Sequence, residues 1–118
     1  MYSDKVRELI NNLPNRGTLP QATHCSKVEN IVCGDTTHLY LRVENDVVRD
    51  CHFQTYGCPG AIAAGAAITL LCKEKSRAQC LELTAQSILE YLEGLPPHKV
   101  HGAEMAVEAL KKALSSVY

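Results

Sequence analysis

Residues 36–60, TTHLYLRVENDVVRDCHFQTYGCPG, decide the fold. Leu39, Leu41 and Val43 alternate with Tyr40 and Arg42, the period of a half-buried strand. Asn45-Asp46 supplies a turn, and Val47, Arg49, Cys51 and Phe53 form a second alternating run, with Cys51 sharing a face with Val47 and Phe53. An antiparallel hairpin follows. At Pro59 the period becomes helical. Proline suits the first helical position, and the residue before it is pushed toward extended backbone, so Cys58 stands at the N-cap of a helix running to about Lys73.

Outward from this stretch, a preceding strand is expected within residues 23–32. Tyr2-Ser3-Asp4 caps a short first helix in which Val6, Leu9 and Ile10 recur at helical spacing until Pro14, and Asn15-Arg16-Gly17 reads as a turn or loop. Helices are also expected from Ser76 to Leu81, from Thr84 to Glu93 ahead of Gly94-Leu95-Pro96-Pro97, and through Met105, Leu110 and Leu114. Helix, small antiparallel sheet, then helices is an α+β order. With 118 residues, 46% hydrophobic and 21% charged, residues 1–118 suit a single domain burying roughly two-thirds of its unfolded surface.

Composition excludes several classes. Net charge is −1, and one Phe and five Tyr form no aromatic-basic patch, which argues against nucleic acid. The longest apolar stretch, Ala61 to Cys72, is too short to cross a bilayer. Nothing at the N-terminus reads as a secretion leader, so the protein is expected to be soluble and cytoplasmic with its six cysteines kept as thiols. Gly-rich phosphate loops, paired-carboxylate signatures and Ser-His-Asp arrangements are missing, so an enzyme is not expected.

Three short sites carry chemically soft groups: Cys33-Gly34-Asp35, Gly57-Cys58 and His101. Each falls where an element begins or ends. Cys58 meets the positive end of a helix macrodipole, which favours the thiolate that binds metal and attacks sulfur; a cysteine simply packed at a helix start is the alternative. Cys33-Gly34-Asp35 can present sulfur and carboxylate to one cation from a turn, or be a plain Gly-Asp turn. His101, ahead of Gly102, can be a ligand or a capping group. Together they point to a metal or sulfur site. Cys72 lies fourteen residues beyond Cys58, on the order of 20 Å along one helix, and cannot share a metal with it. Cys25 is roughly 26 Å from Cys33 if the segment between them is extended. Cys51 and Cys80 are expected in the core, and His24, His38, His52 and His98 in solvated or hydrogen-bonded roles.

The opening Tyr2-Ser3-Asp4-Lys5-Val6, Asn12-Leu13-Pro14-Asn15-Arg16-Gly17, Cys33-Gly34-Asp35, Phe53-Gln54-Thr55-Tyr56-Gly57-Cys58 and Gly94-Leu95-Pro96-Pro97-His98-Lys99-Val100-His101 occur in the order of a known family. Over nearly its whole length the chain resembles the scaffold proteins of iron-sulfur cluster assembly, the IscU and NifU N-terminal family. The resemblance implies a three-stranded antiparallel sheet with helices packed on it and a metal-sulfur site at one end. It implies a scaffold that receives sulfur from a cysteine desulfurase, binds iron or zinc, and passes clusters to iron-sulfur acceptor proteins. Cys33, Asp35, Cys58 and His101 match four site positions, with Cys33, Cys58 and His101 expected to hold the cluster.

Two positions depart from the family pattern. Gly102 stands where the family usually places a third cysteine, commonly the sulfur acceptor and a ligand, and Leu95-Pro96-Pro97-His98-Lys99 differs from the Leu-Pro-Pro-Val-Lys through which one branch binds a heat-shock-type chaperone. Two Cys, one His and one Asp make a weaker shell than thiolates alone and also a competent zinc set. With two thiols per chain, a bridged homodimer is one arrangement open to it. Other readings are a zinc-binding or regulatory relative that no longer assembles clusters, and a sulfur carrier or enzyme using a reactive Cys58.

Overall fold

The computed structural model describes residues 2–31 and 34–115. At the hairpin, Asn45 and Asp46 both have positive φ, 50° and 64°, the backbone of the tight turn that matches strand twist. It joins β2 (Thr36–Glu44) to β3 (Val47–Tyr56), and β1 (His24–Glu29) pairs antiparallel with the other edge of β2, giving the order β1-β2-β3. Leu39 lies opposite Phe53 and Leu41 opposite Cys51. All four side chains are buried, so one face of the sheet forms the floor of the core.

The second strand departs from simple alternation. The register shifts between Arg42 and Val43, which face Asp50 and Val48, so Arg49 is an extra residue on β3 and the strand bulges. Consequently Val48, not Val47, joins Cys51 and Phe53 in the core. The outer edge of β3 is covered. Arg16 bridges to Phe53, whose N–H donates to the Asn15 carbonyl at 3.0 Å and whose carbonyl accepts from Gly17 N–H at 2.8 Å. At the other end, Val48 exchanges backbone hydrogen bonds with Lys75 and Glu74. The loop read as Asn15-Arg16-Gly17 thus also shields an edge that would otherwise offer unpaired backbone groups.

Among the described residues, five α-helices complete the architecture: α1 (Asp4–Asn11), α2 (Pro59–Cys72), α3 (Arg77–Leu81), α4 (Ala85–Tyr91) and α5 (His101–Leu114). Ser3 caps α1 by accepting from Val6 N–H at 3.1 Å, while Ser76 and Thr84 open α3 and α4 with capping boxes. A 3-10 turn, Pro97–Lys99, leads into α5. The central helix is α2, which carries no charge and is buried around most of its circumference. It lies on β3 while α5 crosses β1 and β2, and the two helices pack side by side. No helix among the described residues is long and apolar enough to cross a membrane.

Close approach of α2 to the sheet depends on Gly65. A Cβ there would lie 2.6 Å from Phe53 Cδ2 and 2.7 Å from Thr55 Oγ1, both on buried residues. In an exposed helix, Gly→Ala stabilises by about 1 kcal/mol. Here the sign reverses: Gly65→Ala is expected to lower the unfolding free energy by about 1–3 kcal/mol through overpacking, measured by denaturant titration, and a more stable variant would contradict this packing.

Candidate metal centre

Three element boundaries meet at one end of the sheet. Asp35 closes the connection from β1 to β2, Cys58 is the N-cap of α2, and His101 is the first residue of α5. The connection is pinned at its base by Asn30 N–H donating to the Asp35 carbonyl at 2.8 Å and Gly34 N–H donating to the Asn30 carbonyl at 2.7 Å. Gly34 has φ 80°, a conformation glycine adopts without a Cβ penalty. These bonds bring Asp35 to the head of β2 with only 6% of its surface exposed.

The Cys58 backbone is extended, φ −74° and ψ 161°, and its thiol makes no capping hydrogen bond to α2. The thiol instead donates to Asp35 Oδ2 across 3.8 Å. The same oxygen lies 3.1 Å from His101 Nε2. One carboxylate oxygen is therefore shared by thiol and imidazole, and a sulfur, an oxygen and a ring nitrogen from the three residues lie within 4.8 Å of one another. Gly57 makes this possible, because a Cβ there would fall 2.4 Å from Asp35 Oδ1. With any larger residue at 57, the carboxylate would have to leave its place.

Of the four residues singled out in the sequence, Asp35, Cys58 and His101 come together; Cys33 lies outside the described residues. Mixed sulfur, nitrogen and oxygen donors of this kind suit zinc or iron. Sequence reasoning assigned Gly57 no role of its own, since the collision it avoids is with a residue far away in the chain.

The remaining cysteines separate by environment. Cys51, Cys72 and Cys80 are fully buried, as expected for Cys51 and Cys80. They also interact, which the sequence did not reveal: the Cys80 thiol donates to the Cys72 carbonyl at 3.6 Å, and Cys72 interacts electrostatically with both Cys51 and Cys80. Hydrogen bonding to Cys51, aided by burial, pushes the Cys72 thiol far above the ordinary thiol range. Hydrogen bonding to Cys72, with burial, does the same to Cys80. The histidines away from the site have local roles. His24 Nδ1 pairs with Thr23 Oγ1 at 2.8 Å, His52 Nδ1 with the Thr18 carbonyl at 3.0 Å, and His38 stacks with Tyr40.

Sheet and helices define an α+β domain in which Asp35, Cys58 and His101, a group that could hold a metal ion, meet beside two helix N-termini. The chain belongs to the NifU-like N-terminal domain family, whose model matches residues 1–118. It is 38% identical to the iron-sulfur cluster assembly scaffold protein IscU 1 of Archaeoglobus fulgidus, over 97% of this chain and 74% of that one. It is 37% identical to the corresponding IscU of Aquifex aeolicus, over 96% of this chain and 73% of that one. In fold it is similar to the N-terminal NifU-like protein of Brucella abortus, with a TM-score of 0.78 at 17% identity, covering 96% of this chain and 91% of that one.

Thiol chemistry checks the division of the cysteines, because alkylation needs both access and thiolate. Iodoacetamide at pH 8 is expected to modify Cys58 in the native protein and to reach Cys51, Cys72 and Cys80 only after denaturation, as read by peptide mass mapping. Native labelling of Cys72 as fast as Cys58 would contradict the buried cluster.

Proposed function

We propose that this chain is a scaffold on which iron-sulfur clusters are assembled and from which they are passed to acceptor proteins, with Cys33, Asp35, Cys58 and His101 holding the cargo. The observation that carries this reading is the convergence of Asp35, Cys58 and His101 on a single carboxylate oxygen, in a chain 38% identical to a protein named as such a scaffold. A cysteine desulfurase supplies sulfane sulfur from its own cysteine persulfide. The thiolate of Cys58 or Cys33 attacks the outer sulfur and releases the donor thiolate, and a two-electron thiol reductant such as excess cysteine then converts the persulfide to cluster sulfide. Cys58 suits that task by its place at a helix N-terminus with its thiol turned away from the helix backbone.

The ligand types also suit a cluster that must leave. Stable electron carriers hold their irons mainly with thiolates. Here a carboxylate and an imidazole share the work with two thiols, a harder and weaker set for iron held with sulfide. Asp35 keeps the cluster labile in this account. With Asp35 nearly buried and His101 still about a quarter exposed, the site is screened from bulk water without being closed.

A second reading rests on the same donors. Cysteine, aspartate and histidine within reach of one ion form a zinc set, and a relative that keeps zinc and has lost cluster assembly would retain it. Anaerobic incubation of the apo-protein with ferrous iron, cysteine and a cysteine desulfurase separates the two. The scaffold reading expects a visible sulfide-bearing chromophore, with matching iron and sulfide contents, lost in Cys33→Ala, Cys58→Ala and His101→Ala. A colourless protein that keeps one zinc through those same residues would favour the second reading. In cluster-loaded protein, Asp35→Ala is expected to slow transfer to an apo-ferredoxin; unchanged transfer would remove the lability role from Asp35.

A further inference from the structure

Gly102 is the second residue of α5 and is buried. Helical glycine is ordinarily a weakness, because alanine fits the same backbone with less entropy to lose. This one faces backbone. A Cβ at 102 would lie 2.8 Å from Ala61 Cα, 3.0 Å from Ala61 N and 3.2 Å from the Gly60 carbonyl carbon. Those atoms belong to the first turn of α2 and, unlike the tip of a flexible side chain, cannot rotate away. The first turns of α2 and α5 therefore touch main chain to main chain, and the residues preceding Gly60 and Gly102 by one or two places are Cys58 and His101.

We propose that Gly102 is the positioning residue of this metal centre: by carrying no side chain it lets α5 seat on α2 so that His101 reaches Asp35 and Cys58. The inference rests on the reading of His101 as a ligand. It has a second consequence. Position 102 has no room for a thiol in this packing, so a cysteine introduced there does not add a ligand to the shell but forces the two helix starts apart and carries His101 away. The neighbouring Gly60 points elsewhere: the atoms nearest a Cβ there belong to the side chains of Lys99, at 3.3 Å, and of Leu95 and Tyr2, at 3.6 Å, none of them on α5.

The test is a double-mutant cycle read by zinc competition against a chromophoric chelator, with cobalt(II) spectra on the same proteins. Gly102→Ala is expected to weaken zinc binding by about ten- to a hundredfold, the usual effect of disturbing a residue that orients a ligand. Cobalt should keep its thiolate charge-transfer band while the ligand-field bands lose the intensity of a four-coordinate site. In the His101→Ala background, Gly102→Ala should change zinc affinity by no more than about twofold, whereas a general loosening of the fold would weaken both backgrounds alike. Gly60→Ala should bind nearly as wild type does. Should Gly102→Ala fail to fold unaided, the titration is made in trimethylamine oxide, which favours the compact state; a variant unfolded even there makes Gly102 a stability residue and overturns the proposal.

The outcomes separate the two claims. If His101→Ala weakens zinc binding and Gly102→Ala does not, or if Gly102→Cys binds at wild-type affinity with added charge-transfer intensity, positioning by Gly102 is wrong and the ligand reading survives. If His101→Ala leaves zinc binding unchanged, both fall.

Discussion

Close contact between the starts of α2 and α5 governs where each group of the candidate centre lies. α5 could not come so near α2 with a side chain at its second residue: a Cβ on Gly102 would run into the backbone of Ala61. Small residues continue along α2, where Gly65 and a run of buried alanines let the helix settle on Phe53 and Thr55. The sheet in turn holds Asp35 at the head of β2, at the opposite end of the β2–β3 pairing from the bulge. Backbone proximity, more than any single hydrogen bond, thus sets the distances between carboxylate, thiol and imidazole. Protein interiors are dense and yield little to added atoms, so these distances follow from packing decided elsewhere in the fold.

Much of this was legible in the sequence because local rules agree with the fold. The hairpin turn, the Pro59 start of α2, the cap of α1, the positions of α3 and α4, and the end of α4 before Gly94 all express short-range preferences, and the structure has each of them. The bulge on β3 was hidden, since Val47 and Val48 are both apolar and alternation alone cannot choose between them. Contacts between distant segments were hidden too: the covering of β3 by Asn15 to Gly17 and by Glu74-Lys75, and the interaction of Cys51, Cys72 and Cys80. At the centre, Asp35, Cys58 and His101 were visible as chemistry at element boundaries. The glycines that make room for them were visible only as glycines, because what they avoid is brought near by folding.

In the proposed scaffold reading, the arrangement combines two demands that pull apart. A site that builds a cluster must hold iron and sulfide long enough for assembly, and a site that transfers it must let go. Thiolates serve the first, and a carboxylate and an imidazole the second. Sharing Asp35 Oδ2 between Cys58 and His101 keeps the three groups mutually satisfied; in the proposed reading, loading would exchange these internal hydrogen bonds for metal bonds and leave no buried charge unpaired. Cys51, Cys72 and Cys80 stay out of this chemistry through burial, which together with hydrogen bonding also holds the Cys72 and Cys80 thiols above their ordinary range.

The central claim is that sulfur, carboxylate and imidazole of this end of the domain bind one metal together. X-ray absorption at the zinc edge of the zinc-loaded wild-type protein tests it most directly. The account predicts one mixed shell, with sulfur at about 2.3 Å and lighter nitrogen or oxygen donors at about 2.0–2.2 Å, accompanied by the outer scattering of an imidazole ring. A shell made of sulfur alone, or one containing no sulfur, would contradict it.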